Sequence, residues 1–294
     1  MKKLTLLLLC LLLSGIHLYS QEQDSTAVVS PWKKVGVVGL NMSQVSLSNW
    51  SAGGDNSVAF DLNLAYSLDY TKNKHIWKSR IEMAYGLNNT STNGVRKTND
   101  KIYLMTNYGY NIAENLFLSA IGTFETQFAN GYDYAASTTN PISRFMAPAY
   151  ITAGLGITHK VDTWLTTVFS PIAWKGTFVN DDTLSAAGAF GVTPGEKFLS
   201  EFGGNLNVEF KKNIFENVLL YSRLNLFSNY LRNPQNIDIN WDTQISMKVN
   251  KWLSATLQLS MIYDDDIKFD DGAGNKVAKL QFKEVLGIGI QVNF

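Results

Sequence analysis

Apolar and polar residues alternate along much of the chain. In residues 60–70 every second position is apolar, and the positions between include the charged residues Asp61 and Asp69. Because successive side chains of a β-strand point to opposite faces, this segment predicts a strand with one apolar and one polar face. A helix would place apolar and polar residues together on each of its faces.

The same alternation recurs and predicts twelve strands. In chain order they cover residues 35–48, 60–70, 77–87, 101–112, 116–128, 149–161, 164–176, 198–211, 218–230, 237–249, 253–263 and 280–294. Ordinary strands have about 5–6 residues, whereas a strand that crosses a bilayer at a tilt needs roughly 9–11. The lengths therefore favour a transmembrane barrel over a soluble β-sandwich.

The connectors between these strands alternate between short and long. Short turns fall around residues 72–74, 113–115, 161–162, 211–217 and 250–251. Longer polar loops cover 88–100, 129–148, 177–197 and 264–279, with shorter ones near 49–57 and 231–236. Such alternation is typical of barrels with one periplasmic and one external rim. The sequence therefore predicts an all-β protein, a transmembrane antiparallel up-and-down β-barrel of about twelve strands, with both termini at the short-turn rim.

Tryptophans lie near both ends of the predicted strands. Trp77 and Trp164 follow short turns, while Trp174 and Trp241 lie close to long loops. Aromatic girdles at the two edges of the hydrocarbon are expected of such barrels.

The N-terminus has the pattern of a cleavable signal peptide. Lys2 and Lys3 precede an apolar run over residues 4–13, which is too short to span a membrane. We expect a signal peptide at 1–20, a periplasmic tail at 21–34 and an outer-membrane barrel at 35–294. The single cysteine, Cys10, falls in the expected signal, so we expect no disulfide and no thiolate metal site.

The sequence closes on an alternating strand whose last residue is Phe294. This ending resembles the C-terminal signal by which the outer-membrane insertion machinery recognises barrels. A final apolar strand with a free edge is a liability unless another strand pairs with it. We therefore expect the first strand to close on the last, and Phe294 to act as an assembly signal.

The first long loop carries a family resemblance. Residues 49–57 read NWSAGGDNS, which is similar to the NWxxGGxNS stretch of an uncharacterised Bacteroidota family of outer-membrane barrels, the domain of unknown function DUF3078. Membership implies a barrel over nearly the whole mature chain and supplies no activity. Glycine permits unusual backbone angles and asparagine can hydrogen-bond a tight turn. A structural loop and a ligand contact both remain open for the motif residues, which are Asn49, Trp50, Gly53, Gly54 and Asn56.

If the apolar faces meet lipid, charged residues of both signs point into the lumen. The candidates for contact with a small polar solute are Asp61, Lys78, Arg80, Glu82, Glu125, Arg223, Asp242 and Lys283. These groups form either mutual ion pairs that plug the tube or a wet lining like that of porins. Barrels of eight strands are filled and those of sixteen to eighteen contain a channel, so twelve strands leave both possibilities open.

Folding the predicted hairpins about their turns gives cross-strand neighbours. The hairpin that turns near residue 73 places Asp69 opposite Lys78. The hairpin that turns at residues 231–236 places Asn225 opposite Asp242, with Arg223 one step away.

The sequence offers little for catalysis. After the expected signal only His75 and His159 remain, and neither has a serine nearby in a recognisable motif. A lipid hydrolase needs a nucleophile, a base and an orienting group, so we expect no enzyme, no cofactor and no metal. The acidic residues at 264–271 leave calcium open, since that cation prefers oxygen ligands, but their spacing is not that of an EF-hand.

The formal net charge is zero, which argues against a nucleic-acid partner. The leading hypothesis is a porin-like outer-membrane barrel that gives passage to, or binds, small polar solutes. Its other expected partners are outer-membrane lipid and the insertion machinery. A plugged barrel that serves as a scaffold or docking partner for envelope proteins is the alternative, and a lipid-active enzyme is a disfavoured second one.

Overall fold

The computed structural model describes residues 30–48, 54–270 and 272–294. The expected signal peptide at 1–20 lies outside these residues, as does most of the expected tail. The strands, in chain order, are β1 (Trp32–Val45), β2 (Ser57–Lys72), β3 (His75–Thr90), β4 (Gly94–Ala113), β5 (Leu116–Thr126), β6 (Gly131–Tyr132), β7 (Pro141–Ser143), β8 (Ala149–Val161), β9 (Leu165–Phe178), β10 (Phe198–Phe215), β11 (Val218–Asn229), β12 (Ile237–Lys248), β13 (Leu253–Tyr263), β14 (Lys268–Asp270), β15 (Lys276–Ala278) and β16 (Gln281–Asn293).

Twelve of these strands form a closed antiparallel barrel in the order β1-β2-β3-β4-β5-β8-β9-β10-β11-β12-β13-β16, and β16 pairs with β1. The short strands pair as two separate hairpins, β6 with β7 and β14 with β15, inside long loops. The predicted fold class, strand number and chain order are therefore confirmed. β1 begins at Trp32 rather than at residue 35.

The short turns owe their shape to asparagine and aspartate. Asn73, Asn115, Asp162 and Asn217 have φ values of 54°, 58°, 50° and 62° at four short connections between barrel strands. These residue types tolerate the left-handed region and favour tight turns. Longer connections lie at the opposite rim, except between β3 and β4, so the predicted division into a short-turn rim and a long-loop rim holds for all but one connection.

One predicted long loop is wrong. Residues 88–100 were expected to be a loop because they are polar, but β3 continues to Thr90 and β4 begins at Gly94. Asn88 pairs with Arg96 and Asn89 with Val95 in this extension. The ladder between two strands satisfies their backbone groups whatever the side chains are, so polarity alone does not end a strand.

Of the two predicted strand registers, one is confirmed and one is wrong. Asp69 lies opposite Lys78, as expected from the turn at Asn73. The expected pair Asn225–Asp242 is wrong, because Arg223 lies opposite Asp242. The Asn229 side chain accepts hydrogen bonds from the backbone N–H groups of Leu231 (2.9 Å) and Arg232 (3.2 Å). The turn therefore begins earlier than the polarity of the loop indicated. As a result, the pairing of β11 with β12 is shifted by two residues from the predicted register.

The outside of the barrel is apolar. Leu62 is 50% exposed, Leu155 58%, Ile172 55%, Leu286 65% and Ile288 60%. Because large apolar side chains alternate with inward polar ones along these strands, the exterior matches hydrocarbon rather than water.

Aromatic contacts lie at both rims. Trp32 packs on Tyr70 and Trp77 near the short turns, with ring centroids 4.9 and 6.0 Å apart. Near the long loops, Phe178 and Phe198 pack with centroids 4.7 Å apart. These two bands correspond to the girdles expected at the membrane interfaces.

Two long loops pack together at the outer rim. Ala147, Val179, Leu184 and Val192 form a small buried cluster. Its helix, α1 (Asp182–Ala186), is capped by Asp181, whose side chain accepts a hydrogen bond from the Leu184 N–H at 2.9 Å. This cluster gives the loops an apolar core of their own. In the part of the chain that the structure describes, no helix is both long and apolar enough to cross a membrane.

Candidate functional site

Charged residues on opposite walls of the barrel meet across the lumen. Lys101 on β4 places its Nζ 2.6 Å from Asp242 Oδ2 on β12. On β11, Arg223 Nη1 lies 3.2 Å from Glu82 Oε2 of β3. Counted around the barrel, β4 and β12 are six strands apart in either direction, and so are β3 and β11. Both ion pairs therefore span the full width of the barrel.

Asp242 is the centre of this network. Besides Lys101, its carboxylate binds Arg223 Nη2 at 2.8 Å and accepts a hydrogen bond from Ser260 Oγ at 2.7 Å. Arg223 is 6% exposed, so its guanidinium group is largely shielded from water. Buried charges are tolerated when they are paired and hydrogen-bonded.

Further contacts extend the network along the lumen. Arg80 Nε lies 2.6 Å from Glu82 Oε1 on the same strand. Lys78 forms an ion pair with Glu209 of β10. Two tyrosine rings cover the guanidinium groups, with Arg80 4.4 Å from the Tyr221 centroid and Arg223 3.9 Å from that of Tyr103. Cation–π contacts of this kind stabilise desolvated arginines.

The remaining candidates join the same network. Glu125 lies 3.7 Å from Lys101 Nζ. Lys283 Nζ donates to Asn99 Oδ1 at 2.8 Å, and Asn99 Nδ2 donates to Asp61 Oδ2 at 2.9 Å. Lys283 and Asp61 are thus linked through one amide. All eight candidate lumen residues lie in polar contacts inside the barrel.

Sequence reasoning missed several lumen residues. Lys101, the first residue of a predicted strand, is not among the eight candidates. Near the long-loop rim, Lys175 binds Asp238 (2.6 Å), Asp264 (3.3 Å) and Glu201 (3.4 Å). Strict alternation from Ser170 places Lys175 on the outer face, but the structure buries both residues.

A β-bulge explains the change of face in β9. Ser170 pairs with Asn205 and Ala173 with Gly203, so β9 has one more residue than β10 between these pairs. An extra residue moves the following side chains to the other face. Pro171, which cannot donate to the ladder, was the available signal.

The cross-lumen pairs separate two unlike halves of the interior. On the side of β4, β5, β8 and β9, Thr158 is fully buried, accepts a hydrogen bond from Asn107 at 3.2 Å and donates one to Ser119 at 2.8 Å. On the side of β1, β2, β13 and β16 lies a cavity of about 190 Å³. Its wall includes Asn41, Asn63, Tyr221, Gln244, Thr256, Gln258 and Lys283.

Both histidines lie outside this network. His75 is exposed near the short-turn rim, where its Nδ1 is 2.7 Å from Tyr108 Oη. His159 is exposed near the end of β8, three residues before that strand meets the turn to β9. Among the described hydrogen bonds, none joins either histidine side chain to a serine.

The described part of the motif loop makes contacts within the chain. Asn56 Oδ1 accepts a hydrogen bond from the Leu47 N–H at 2.6 Å. Asp55 accepts hydrogen bonds from Ser91 and Thr92 in the β3–β4 turn, at 3.1 and 2.6 Å. Gly54 has a φ of 129°, which side-chain-bearing residues rarely adopt. Asn49, Trp50 and Gly53 lie outside the described residues.

The acidic loop after β13 is tied to neighbouring groups. Asp264 binds Lys175, and Asp265 Oδ1 lies 3.0 Å from Lys268 Nζ. Burial and the nearby Asp264 raise the pKa of the Asp266 carboxyl above its usual value. In the described ranges no group of histidine, cysteine, aspartate or glutamate side chains is placed to hold a metal ion. Asp271 lies outside the description.

The C-terminal residue closes the barrel. The Gly36 N–H donates to the Phe294 carbonyl at 2.6 Å, and the Phe294 N–H donates to the Gly36 carbonyl at 2.9 Å. The Phe294 ring stacks on Tyr66 with centroids 6.3 Å apart. The expected closure of the first strand on the last is thus confirmed.

A closed antiparallel barrel with an apolar exterior, aromatic rims and a charged interior defines the class: this protein is a transmembrane β-barrel of the outer-membrane type. The family model described as "Protein of unknown function (DUF3078)" matches residues 42–132. The expected family resemblance is confirmed over that segment, which includes the motif loop. No curated protein matches the sequence.

Several solved structures resemble the chain at low identity. The COG4313 outer membrane channel from Pseudomonas putida F1 is 11% identical, with a TM-score of 0.41 over 93% of this chain and 100% of that one. The translocator domain of the autotransporter NalP from Neisseria meningitidis is 8% identical, with a TM-score of 0.36 over 92% of this chain and 90% of that one. The Pseudomonas putida toluene transporter TodX is 8% identical, with a TM-score of 0.30 over 91% of each chain. Similarities this low carry no information about activity.

Proposed function

We propose that this protein resides in the outer membrane, where it binds a small polar solute in its lumen cavity and is closed to free diffusion. The observation that carries the proposal is the pair of contacts across the barrel, Lys101–Asp242 and Arg223–Glu82, beside a cavity with a polar wall. A solute can occupy the cavity without breaking these contacts, but it cannot pass through the centre of the barrel.

The energy of the ion pairs favours a closed lumen. Complete loss of one partner from a buried pair costs about 3–5 kcal/mol, because a charge is left without compensation. When the Lys101–Asp242 contact opens, Lys101 keeps Glu125 and Asp242 keeps Arg223, so opening it is unfavourable by less than this amount. An unmodified barrel should therefore conduct ions rarely.

The size of the cavity limits the solute. Pockets for drug-sized ligands have volumes of roughly 300–1,000 Å³, and this cavity has about 190 Å³. A compact molecule with the size of a single sugar ring or an amino acid is therefore appropriate.

The closed lumen also supports the second candidate, a plugged barrel that acts as a scaffold for envelope proteins. The two functions differ in whether the cavity binds a solute, since a scaffold does not require solute binding. We propose further that the barrel is not an enzyme, in keeping with the separate, outward positions of His75 and His159. A lipid hydrolase activity that is lost on replacing either histidine would contradict this.

The proposal is tested with full-length protein purified in a sugar-free detergent and reconstituted into planar bilayers and liposomes. We expect almost no conductance steps from the unmodified protein, together with saturable binding of at least one small polar solute by calorimetry. Steady large conductance would show an open pore and refute closure. A silent barrel that binds no small solute would favour the scaffold.

A further inference from the structure

The ligand class follows from which side chains of the cavity wall already bind other residues of the protein. The charged side chains of the wall have partners: Arg80 binds Glu82, and Lys101 binds Asp242. Lys283 is linked through Asn99 to Asp61. An ionic ligand at Arg80 or Lys101 would have to displace a carboxylate, at the cost of leaving a buried charge unpaired, and one at Lys283 would have to displace the Asn99 amide.

A further cation, Lys211, lines the cavity but is exposed to solvent close to the β10–β11 turn. A solvated charge contributes little to binding, because water screens it. Lys211 therefore lies at the short-turn end of the cavity and does not supply a counter-charge for a bound anion.

Several neutral polar groups in the described part of the wall make no hydrogen bond within the protein. Among the described residues, the side chains of Asn41, Thr256 and Gln258 make no hydrogen bond to protein, although Asn41 is 8% exposed and Thr256 6%. The Tyr221 hydroxyl is buried and has no hydrogen-bond partner. Buried polar groups are normally hydrogen-bonded, so these donors and acceptors indicate a bound polar molecule.

The arrangement of these groups favours hydroxyls as their partners. Asn41 comes from β1, Thr256 and Gln258 come from β13, and Tyr221 comes from β11, so the groups lie along one arc of the barrel wall that runs from β11 through β12, β13 and β16 to β1. Each amide offers both donors and an acceptor, and each hydroxyl does both. A ring bearing several hydroxyls matches such a set, because every hydroxyl can donate to one group and accept from another.

From these observations we infer that the lumen cavity binds a neutral polyhydroxylated molecule of monosaccharide size, held by Asn41, Tyr221, Thr256 and Gln258. This inference rests on the proposed solute-binding function and specifies its ligand class. The tyrosine ring, already stacked on Arg80, adds an apolar surface for the less polar face of a sugar ring.

The test compares neutral sugars with their charged counterparts. Full-length protein in lauryldimethylamine oxide is titrated with glucose, galactose, mannose and myo-inositol, and then with glucuronate, galacturonate and glucosamine. Saturation-transfer NMR detects contact and calorimetry gives the affinity. We expect at least one neutral compound to bind, and its charged counterparts to bind at least tenfold more weakly.

Two matched variants locate the site. Gln258→Leu, which keeps the side-chain size, should weaken binding of the neutral compound at least tenfold. Gln44→Leu changes an exposed residue of β1 away from the cavity and should leave affinity unchanged. Heat-modifiable gel mobility confirms that both variants fold.

The outcomes separate the inference from the proposed function. Charged counterparts that bind as tightly as the neutral compounds, with the same sensitivity to Gln258→Leu, would overturn the neutral class and leave solute binding intact. Binding unaffected by Gln258→Leu would overturn the location. Failure of every compound to bind would overturn the inferred ligand class, and failure of small neutral and charged amino acids in the same assay would overturn the proposed function as well.

Discussion

Lys101 and Asp242 lie on opposite walls of the barrel, and their side chains meet with Nζ 2.6 Å from Oδ2. A contact between strands six places apart cannot arise from neighbouring hairpins. It requires the barrel to close with one particular stagger, and it fixes the distance between the two walls. The contact is therefore both a structural brace and an obstruction of the lumen.

Removing Lys101 should weaken this brace. Lys101→Met leaves Glu125 without its basic partner and Asp242 with fewer, so we expect a loss of about 3–5 kcal/mol in the free energy of unfolding. The matched control, Lys268→Met, removes a surface pair with Asp265 and should cost less than about 1 kcal/mol. Urea unfolding in lipid vesicles measures both, and equal losses would contradict a buried brace.

Cutting both cross-lumen contacts should open the lumen. Lys101→Met combined with Glu82→Gln removes a charge from each contact, and we expect planar bilayers to show discrete conductance steps that the unmodified protein lacks. A folded double variant that stays silent would mean that the lumen is filled by more than the ion pairs.

Glycine at position 203 should be needed for close approach of strands. An added Cβ there would clash with the backbone carbonyl of Ser228 on β11, whereas at Gly122 the nearest atom is Thr106 Cγ2 at 3.6 Å. We expect Gly203→Ala to cost about 1–3 kcal/mol through overpacking, and Gly122→Ala to be nearly neutral. Unfolding measurements that rank the two variants the other way would contradict this geometry.

The terminal phenylalanine should matter for closure. Phe294→Ala loses the stacking on Tyr66, and aromatic pairs are worth about 0.5–1.5 kcal/mol beyond their area. Phe282→Ala on the same strand is the control, since Phe282 and Phe294 are similarly exposed at 59% and 61%.

We expect Phe294→Ala to fold into vesicles more slowly than the unmodified protein, and Phe282→Ala to fold at the same rate. Gel mobility measures the folded fraction over time. If the residue is also an assembly signal, purified insertion machinery should accelerate folding of Phe282→Ala but not of Phe294→Ala. Equal acceleration of both variants would leave Phe294 a purely structural role.

The loop at residues 264–267 should become more stable as pH falls. Burial and Asp264 raise the pKa of Asp266 in the folded loop, so the folded state binds its proton more tightly than the unfolded loop does. The destabilising charge is present above the raised pKa and is lost as pH falls through it toward the ordinary value. Hydrogen exchange of the loop should slow over this window, and Asp266→Asn should remove that part of the pH dependence. An unchanged profile in the variant would contradict the assignment.

Much of the fold could be predicted because it is local. Alternation between residues 60 and 70 assigns each side chain to a face, and the asparagine at position 73 sets the turn that pairs Asp69 with Lys78. Polarity gave a wrong prediction in two places, a loop at residues 88–100 and the register set by the β11–β12 loop. The reason is that water-facing strands and loops share the same composition.

The sequence by itself determined that twelve strands turn an apolar face outward and bring charges of both signs into the lumen. Only the tertiary structure decided which charges meet, because the stagger at closure selects Lys101 for Asp242 and Arg223 for Glu82. It also decided that Lys175 points inward, since one extra residue in β9 reverses the alternation there. Periodicity specifies the face of a side chain, whereas its partner across the barrel depends on strands far apart in the chain.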